Sequence, residues 1–219
     1  MRKIDTLDMS LQQNYRRTML LNINPKNPQP RLIRRVAEAL KDGATIVYPT
    51  DTYYGIGCDI MNKKGIGKIY RIKRRSQKKP FSFICADLKN ISQYAKVSDY
   101  AYKTMKRLLP GPYTFVLEGA KLVPKIVLTA QKTAGIRVPN HPICLALVKQ
   151  LGRPIISTSA SLPGGEILSP PLIFEALGAQ IDIVIDGGPV SGQPSSVVSL
   201  IGDVPEVIRV GLGDVTIFE

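Results

Sequence analysis

The chain has 219 residues, is 44% hydrophobic and 21% charged, and carries 30 Lys and Arg against 17 Asp and Glu, a formal net charge of +13. That composition suits one ordinary globular domain, excludes disorder for most of the length, and points to an anionic partner. A single histidine, His141, and three separated cysteines, Cys58, Cys85 and Cys144, leave almost no material for a zinc site or a Cys/His framework.

Residues 1–18, MRKIDTLDMSLQQNYRRT, lack periodicity and read as a flexible basic leader before Met19. The expected organisation is that leader followed by one domain over 19–219. Between Asn27 and Lys41, Leu32, Ile33, Val36 and Leu40 recur at helical spacing, with prolines before and Gly43 after, which predicts a helix. Thr45 to Tyr48 reads as a strand stopped by Pro49, and Thr50 to Gly57 as a polar turn running into two glycines. A second helix from Asn62 to Lys73 rides on Ile66, Ile69 and Tyr70. It delivers the run Arg71-Ile72-Lys73-Arg74-Arg75-Ser76-Gln77-Lys78-Lys79 at its C-terminal end, where cations suit the helix dipole.

Phe81 to Cys85 is a short apolar strand, Ser98 to Leu109 a helix ended by Pro110-Gly111-Pro112, and Tyr113 to Leu117 a further strand. Ala134 to Val138 is extended and precedes a helix that opens at Asn140, His141 and Pro142 and closes at Gly152. Pro154 to Ser159 is a strand entering a small-residue turn, Ser169-Pro170 starts a helix, and Ile181 to Ile185, Ser196 to Leu200 and Val207 to Val210 read as strands. This mixture predicts an α/β or α+β domain built on a twisted, mixed sheet. The absence of a signal-peptide pattern or of an apolar run near eighteen residues, with sparse cysteines, predicts a cytoplasmic protein without a membrane partner.

The charge is uneven. Residues 1–79 hold 18 basic and 6 acidic residues, 80–219 hold 12 and 11, and from Pro154 onward one basic residue, Arg209, faces eight acidic ones. Like charges as dense as those of Arg71 to Lys79 persist where an anion or solvent screens them.

No GxxxxGK[ST] loop, no GxGxxG opening a helix and no HExxH is present. In their place stand hydroxyls and cations near predicted strand ends, where open α/β sheets bind ligands: Thr50, Thr52, Lys73, Arg75, Thr133, Arg137, Ser157, Ser159, Ser195 and Arg209. Singly, such Ser and Thr residues are ordinary turn-formers and a basic run is an ordinary solvated helix end. Arg137 differs, because it sits between Ile136 and Val138 in an apolar strand, where an unpaired guanidinium is costly and a fixed anion relieves it. His141 reads as a capping or structural residue, and Ser157-Thr158-Ser159 lacks the histidine and the GxSxG of a serine hydrolase.

Taken in order, GATIVYPTDTYYGIGCDI, the Lys-x-Arg at Lys73 and Arg75 followed by KKP, PGPYTFVL, KTAGIRVPNHPI, PIISTSAS and PSSVVSL with VIRVG resemble the YrdC/YciO family of threonylcarbamoyl-AMP synthases over roughly Asn22 to Phe218. The resemblance implies a YrdC-like single domain, a twisted mixed sheet flanked by helices around a positively charged cavity. It implies synthesis of threonylcarbamoyl-adenylate and pyrophosphate from L-threonine, bicarbonate and ATP, with Mg2+, for tRNA threonylcarbamoyladenosine modification alongside other tRNA-modification enzymes. Carried over residue by residue, it gives Thr52, Arg137, Ser157 and Ser195 to L-threonine, and Lys73, Arg75, Lys79, Thr133, Ser159 and Arg209 to ATP, with Lys73 and Arg75 as the catalytic clamp and no protein metal site. Two positions depart from the family pattern towards the YciO branch: Ser161 stands where an asparagine is usual, and Ile84 where a histidine often occurs. Two alternatives stand beside this reading. One is a double-stranded RNA or tRNA-binding module of the same family without synthase activity, recognising phosphates and shape. The other is a related adenylate-forming enzyme that takes a different amino acid.

Overall fold

Strand and helix alternate along the chain in the computed structural model, which describes residues 18–74, 81–89, 91–120, 123, 132–161 and 169–218. In chain order these form β1 (Met19–Asn22), α1 (Pro30–Lys41), β2 (Ile46–Tyr48), β3 (Gly55–Asp59), α2 (Lys63–Ile72), β4 (Ser82–Ile84), α3 (Asp99–Leu108), β5 (Tyr113–Glu118), β6 (Thr133–Arg137), α4 (Pro142–Leu151), β7 (Ile155–Ser159), α5 (Pro170–Leu177), β8 (Ile183–Asp186), β9 (Ser196–Ser199) and β10 (Glu206–Arg209). The ten described strands make one sheet in the order β1-β8-β2-β3-β7-β4-β6-β5-β9-β10. It is mixed, as expected: β1 and β2 flank β8 in parallel, β4 pairs β6 and β5 pairs β9 in parallel, and the other neighbours run antiparallel. Of the expected leader only Thr18 is described, and its hydroxyl donates to Ile181 O at 2.7 Å.

The strand residues sort into two faces by their alternation. On one face Ile56, Cys58, Phe83, Phe115, Ile136, Ile156 and Val198 pack under Ile66 and Ile69 of α2, Met105 of α3 and Ile173 of α5 in one core cluster. On the other face Ile46, Tyr48, Ile84, Ile155, Ile183 and Ile185 pack under Ile33, Val36 and Leu40 of α1 and Ile143, Leu147 and Leu151 of α4. The helices of this second layer sit over the β8, β2 and β7 side of the sheet and cover Ile84 of β4, and beyond it the same face continues across β6, β5, β9 and β10 as the lining of a cavity.

Two strands depart from the sequence expectation. β1 was not anticipated because four residues alternating half-buried and exposed give a weak signal. β3 occupies the stretch expected to be a turn into glycines. Its glycines serve close packing rather than chain reversal: a Cβ on Gly55 would lie 2.8 Å from Ser157 Oγ, and one on Gly57 would lie 2.6 Å from Ile156 O. Glycine therefore lets β3 approach β7 and the ring of Tyr48. Among the described residues no helix is long and apolar enough to cross a membrane.

Candidate functional site

The polar half of the second face is the floor of a cavity of about 520 Å3. Its lining follows strand alternation: Ser82 and Ile84 from β4, Thr114 and Val116 from β5, Thr133, Gly135 and Arg137 from β6, Ser157 and Ser159 from β7, Ser195 and Val197 at β9, and Arg209 of β10. Register makes these neighbours, since Ser82 pairs with both Ser157 and Gly135, Ile84 with Arg137, and Val197 with Thr114 and Arg209. The site thus spreads over the face of the sheet, with Thr133, Arg137, Ser159 and Arg209 at strand ends as the sequence led one to expect.

Of the residues proposed from the sequence, the cavity gathers Thr50, Thr52, Lys73, Thr133, Arg137, Ser157, Ser159, Ser195 and Arg209. Arg75 and Lys79 lie outside the described residues. Ser82 and Thr114 were missed; they are unremarkable hydroxyls in apolar strands, and only the period-two pattern read against a known face would have singled them out.

Arg137 is held from one side. Its Nη2 donates to Asp51 Oδ1, to Thr52 Oγ1 at 2.6 Å and to Thr50 Oγ1 at 3.3 Å. Asp51 in turn accepts from Asn140 N at 3.0 Å, which ties the β2–β3 loop to the start of α4. The two charged side chains are 12% and 11% exposed. Nε of Arg137 is buried without a partner. Neighbouring hydroxyls are also oriented. Tyr48 donates to Ser157 Oγ at 2.7 Å, and burial pushes the Tyr48 phenol well above the usual tyrosine range, so it stays a neutral donor and Ser157 keeps its own proton for a ligand.

Lys73, the C-cap of α2, is brought to the cavity mouth by a helix seated tightly on β3: Asn62 caps it by accepting from Gly65 N at 2.9 Å, and a Cβ on Gly65 would lie 2.9 Å from Cys58. Its Nζ donates to the carbonyl of Ser161 and, at 3.0 Å, to Ser161 Oγ, which lies 3.3 Å from Ser159 Oγ. Ser161 is therefore a grip on Lys73. Arg209 donates to Ser195 O from Nε (3.1 Å) and Nη2 (2.7 Å). Burial first, and then the nearby Arg137 charge, pull its pKa down.

Among the described lining residues there is no Asp or Glu. The described lining offers cations and hydroxyls to an anion and no carboxylate to a metal. The cysteines are no nucleophiles, because burial raises all three thiols, Cys85 to about 12. His141 occupies the N-cap position of α4 without a side-chain cap bond, its Nδ1 is buried without a partner, and burial lowers its pKa against the opposing pull of Asp51.

This chain is similar to proteins whose names bear on the cavity. The profile of a family named Sua5_yciO_yrdC and described as telomere recombination matches residues 38–211. The uncharacterized protein YciO of Escherichia coli (strain K12) is 43% identical over 199 residues, spanning 90% of this chain and 97% of its own, and its crystal structure superposes with a TM-score of 0.87. The putative threonylcarbamoyl-AMP synthase of Methanocaldococcus jannaschii is 35% identical over 88% of this chain and 93% of its own. The crystal structure of P. abyssi Sua5 complexed with L-threonine superposes with a TM-score of 0.83 at 29% identity, over 89% of this chain and 58% of that one.

Proposed function

The chain belongs to the Sua5/YciO/YrdC family, and from that premise we propose that it makes L-threonylcarbamoyl-adenylate from L-threonine, bicarbonate and ATP, with release of pyrophosphate, for tRNA threonylcarbamoyladenosine modification. One observation carries this reading: a cavity whose described lining holds no carboxylate joins Arg137 and Arg209, 72 residues apart in sequence, to Lys73 and a set of oriented hydroxyls. The named relatives and the threonine complex of P. abyssi Sua5 support it.

In this reading the threonine carboxylate meets the Arg137 guanidinium, with Thr52, Ser157 and Ser195 around the amino acid. Cations nearby favour the neutral amine over the ammonium. The amine adds to the carbon of carbon dioxide derived from bicarbonate and loses a proton to solvent. A carbamate oxygen then bonds to the α-phosphorus of ATP as the bond to the pyrophosphate oxygen breaks. Negative charge gathers between carbamate, α-phosphate and departing pyrophosphate, where Lys73 and Arg209 act with Thr133 and Ser159; the sequence resemblance adds Arg75 and Lys79. Alignment and fixed positive charge supply most of such catalysis, and no protein nucleophile takes part.

The test is pyrophosphate release from ATP with bicarbonate and each amino acid in turn. The reading expects release that needs both bicarbonate and threonine; release with another amino acid instead of threonine would move the assignment to a related carbamoyl-adenylate enzyme. A finer prediction concerns Ser161. Loss of its hydroxyl in Ser161→Ala leaves Lys73 the backbone acceptor, so the KM for ATP rises by roughly 2–10-fold, the worth of one net hydrogen bond, while the KM for threonine holds. Equal shifts in both KM values would show that Ser161 shapes the whole cavity.

A second reading is favoured by α2 and its end, where Lys63, Lys64, Arg71 and Arg74 are exposed and form no ion pair among the described residues. A basic stripe of that kind attracts nucleic-acid phosphates. RNA binding that weakens steeply with salt, without threonine-dependent pyrophosphate release, would favour an RNA-binding module over the synthase.

A further inference from the structure

Deep in the cavity, Thr114 and Ser195 are 6% and 5% exposed and their hydroxyl oxygens are 3.0 Å apart. Ser195 is fastened from the other side, since Arg209 forks onto its carbonyl and Nη2 donates to its Oγ at 3.2 Å. With a guanidinium donating to that oxygen, the Ser195 proton has two destinations, Thr114 Oγ1 or the cavity.

Thr114 is built to choose between them. A β-branched side chain is stiff at χ1, and its methyl group packs where residue 135 has no side chain: a Cβ on Gly135 would lie 3.2 Å from Thr114 Cγ2. With the methyl seated there, the hydroxyl is aimed at Ser195, the one hydrogen-bond partner it has among the described residues. An anionic ligand oxygen near Ser195 draws the serine proton outward. The Thr114 O–H then turns to donate into the oxygen it had accepted from, and neither buried hydroxyl is left unsatisfied.

We propose that Thr114 is a positioning residue, whose hydroxyl backs Ser195 in a donor relay from Thr114 to Ser195 to a ligand oxygen in the cavity. The inference rests on the amino-acid role given to Ser195 above, and it adds a residue that touches no substrate itself. Without the threonine hydroxyl, Ser195 keeps Arg209 as a donor and loses the partner that frees its own proton for the ligand.

The experiment compares wild type, Thr114→Val, which keeps the methyl packing and removes the O–H, and Thr114→Ser, which keeps the O–H. L-threonine and ATP binding are measured separately by calorimetry, with thermal midpoints alongside. The relay predicts that Thr114→Val weakens L-threonine binding by roughly 3–10-fold, leaves ATP binding within about twofold, and that Thr114→Ser recovers most of the loss. Threonine binding unchanged in Thr114→Val overturns the relay alone. A fall in both affinities together with the thermal midpoint overturns it in favour of a packing role. A wild-type protein that does not bind L-threonine at all overturns the parent reading, and the relay with it.

Discussion

Asp51→Ala should lower the stability of the domain by about 3–5 kcal/mol, the range for removing one partner of a buried ion pair. The loss comes from what remains: Arg137 is 12% exposed, its Nε is already without a partner, and Asp51 carries the charge that balances it. Thr50 and Thr52 still accept from Nη2, and they do not neutralise it. By contrast the Lys96–Glu118 pair, 72% and 51% exposed, should contribute about 0–1 kcal/mol. For a domain of this size each kcal/mol moves the melting temperature by roughly 2–4 °C, so Asp51→Ala should melt about 6–20 °C below wild type and Asp51→Asn, which keeps an acceptor, less far below. Thermal unfolding checks this; a melting temperature within about 2 °C of wild type would mean that cavity water screens Arg137 and that Asp51 is dispensable to it.

Lys73→Ala should cut the rate of pyrophosphate release at saturating substrates by on the order of a hundredfold or more, with little change in stability. Removing one group from a preorganised charge-stabilising site costs about 3–4 kcal/mol of transition-state stabilisation. Lys73 fits that role because the carbonyl and hydroxyl of Ser161 hold its Nζ at the cavity mouth, so little reorganisation is needed when charge develops. Its side chain is half-buried at the end of α2 and contributes nothing to the core clusters, hence the separation between rate and stability. A rate within about threefold of wild type would remove Lys73 from the clamp.

Much of this was legible in the sequence for physical reasons. The apolar periodicity of Leu32 to Leu40 and of Ile66 to Tyr70 marks faces that must be buried, and α1 and α2 follow it closely. Arg137 stood out because a guanidinium inside an apolar strand demands a partner. That partner, Asp51, was not singled out, because an acidic residue in a Thr-rich turn is ordinary until the fold carries it 86 residues along the chain to Arg137. The grip of Ser161 on Lys73 spans 88 residues and was invisible for the same reason. Gly55 and Gly57 pointed to a turn because backbone freedom is what glycine advertises locally, whereas the structure uses their lack of a side chain to seat β3 against Tyr48 and β7. Thr114 and Ser82 face the cavity because register sets them beside Val197, Ser157 and Gly135, and that pairing exists only in the folded sheet.

A cavity that joins an amino acid, bicarbonate and ATP into an adenylate must leave its signature in the product. The most direct measurement is mass spectrometry of the nucleotide products after incubating the purified protein with ATP, L-threonine and 13C-labelled bicarbonate. The expected product is an AMP adduct that contains threonine and one labelled carbon, and that disappears when either is omitted. Nucleotide products free of both threonine and label, from protein shown to bind ATP and L-threonine, would contradict it.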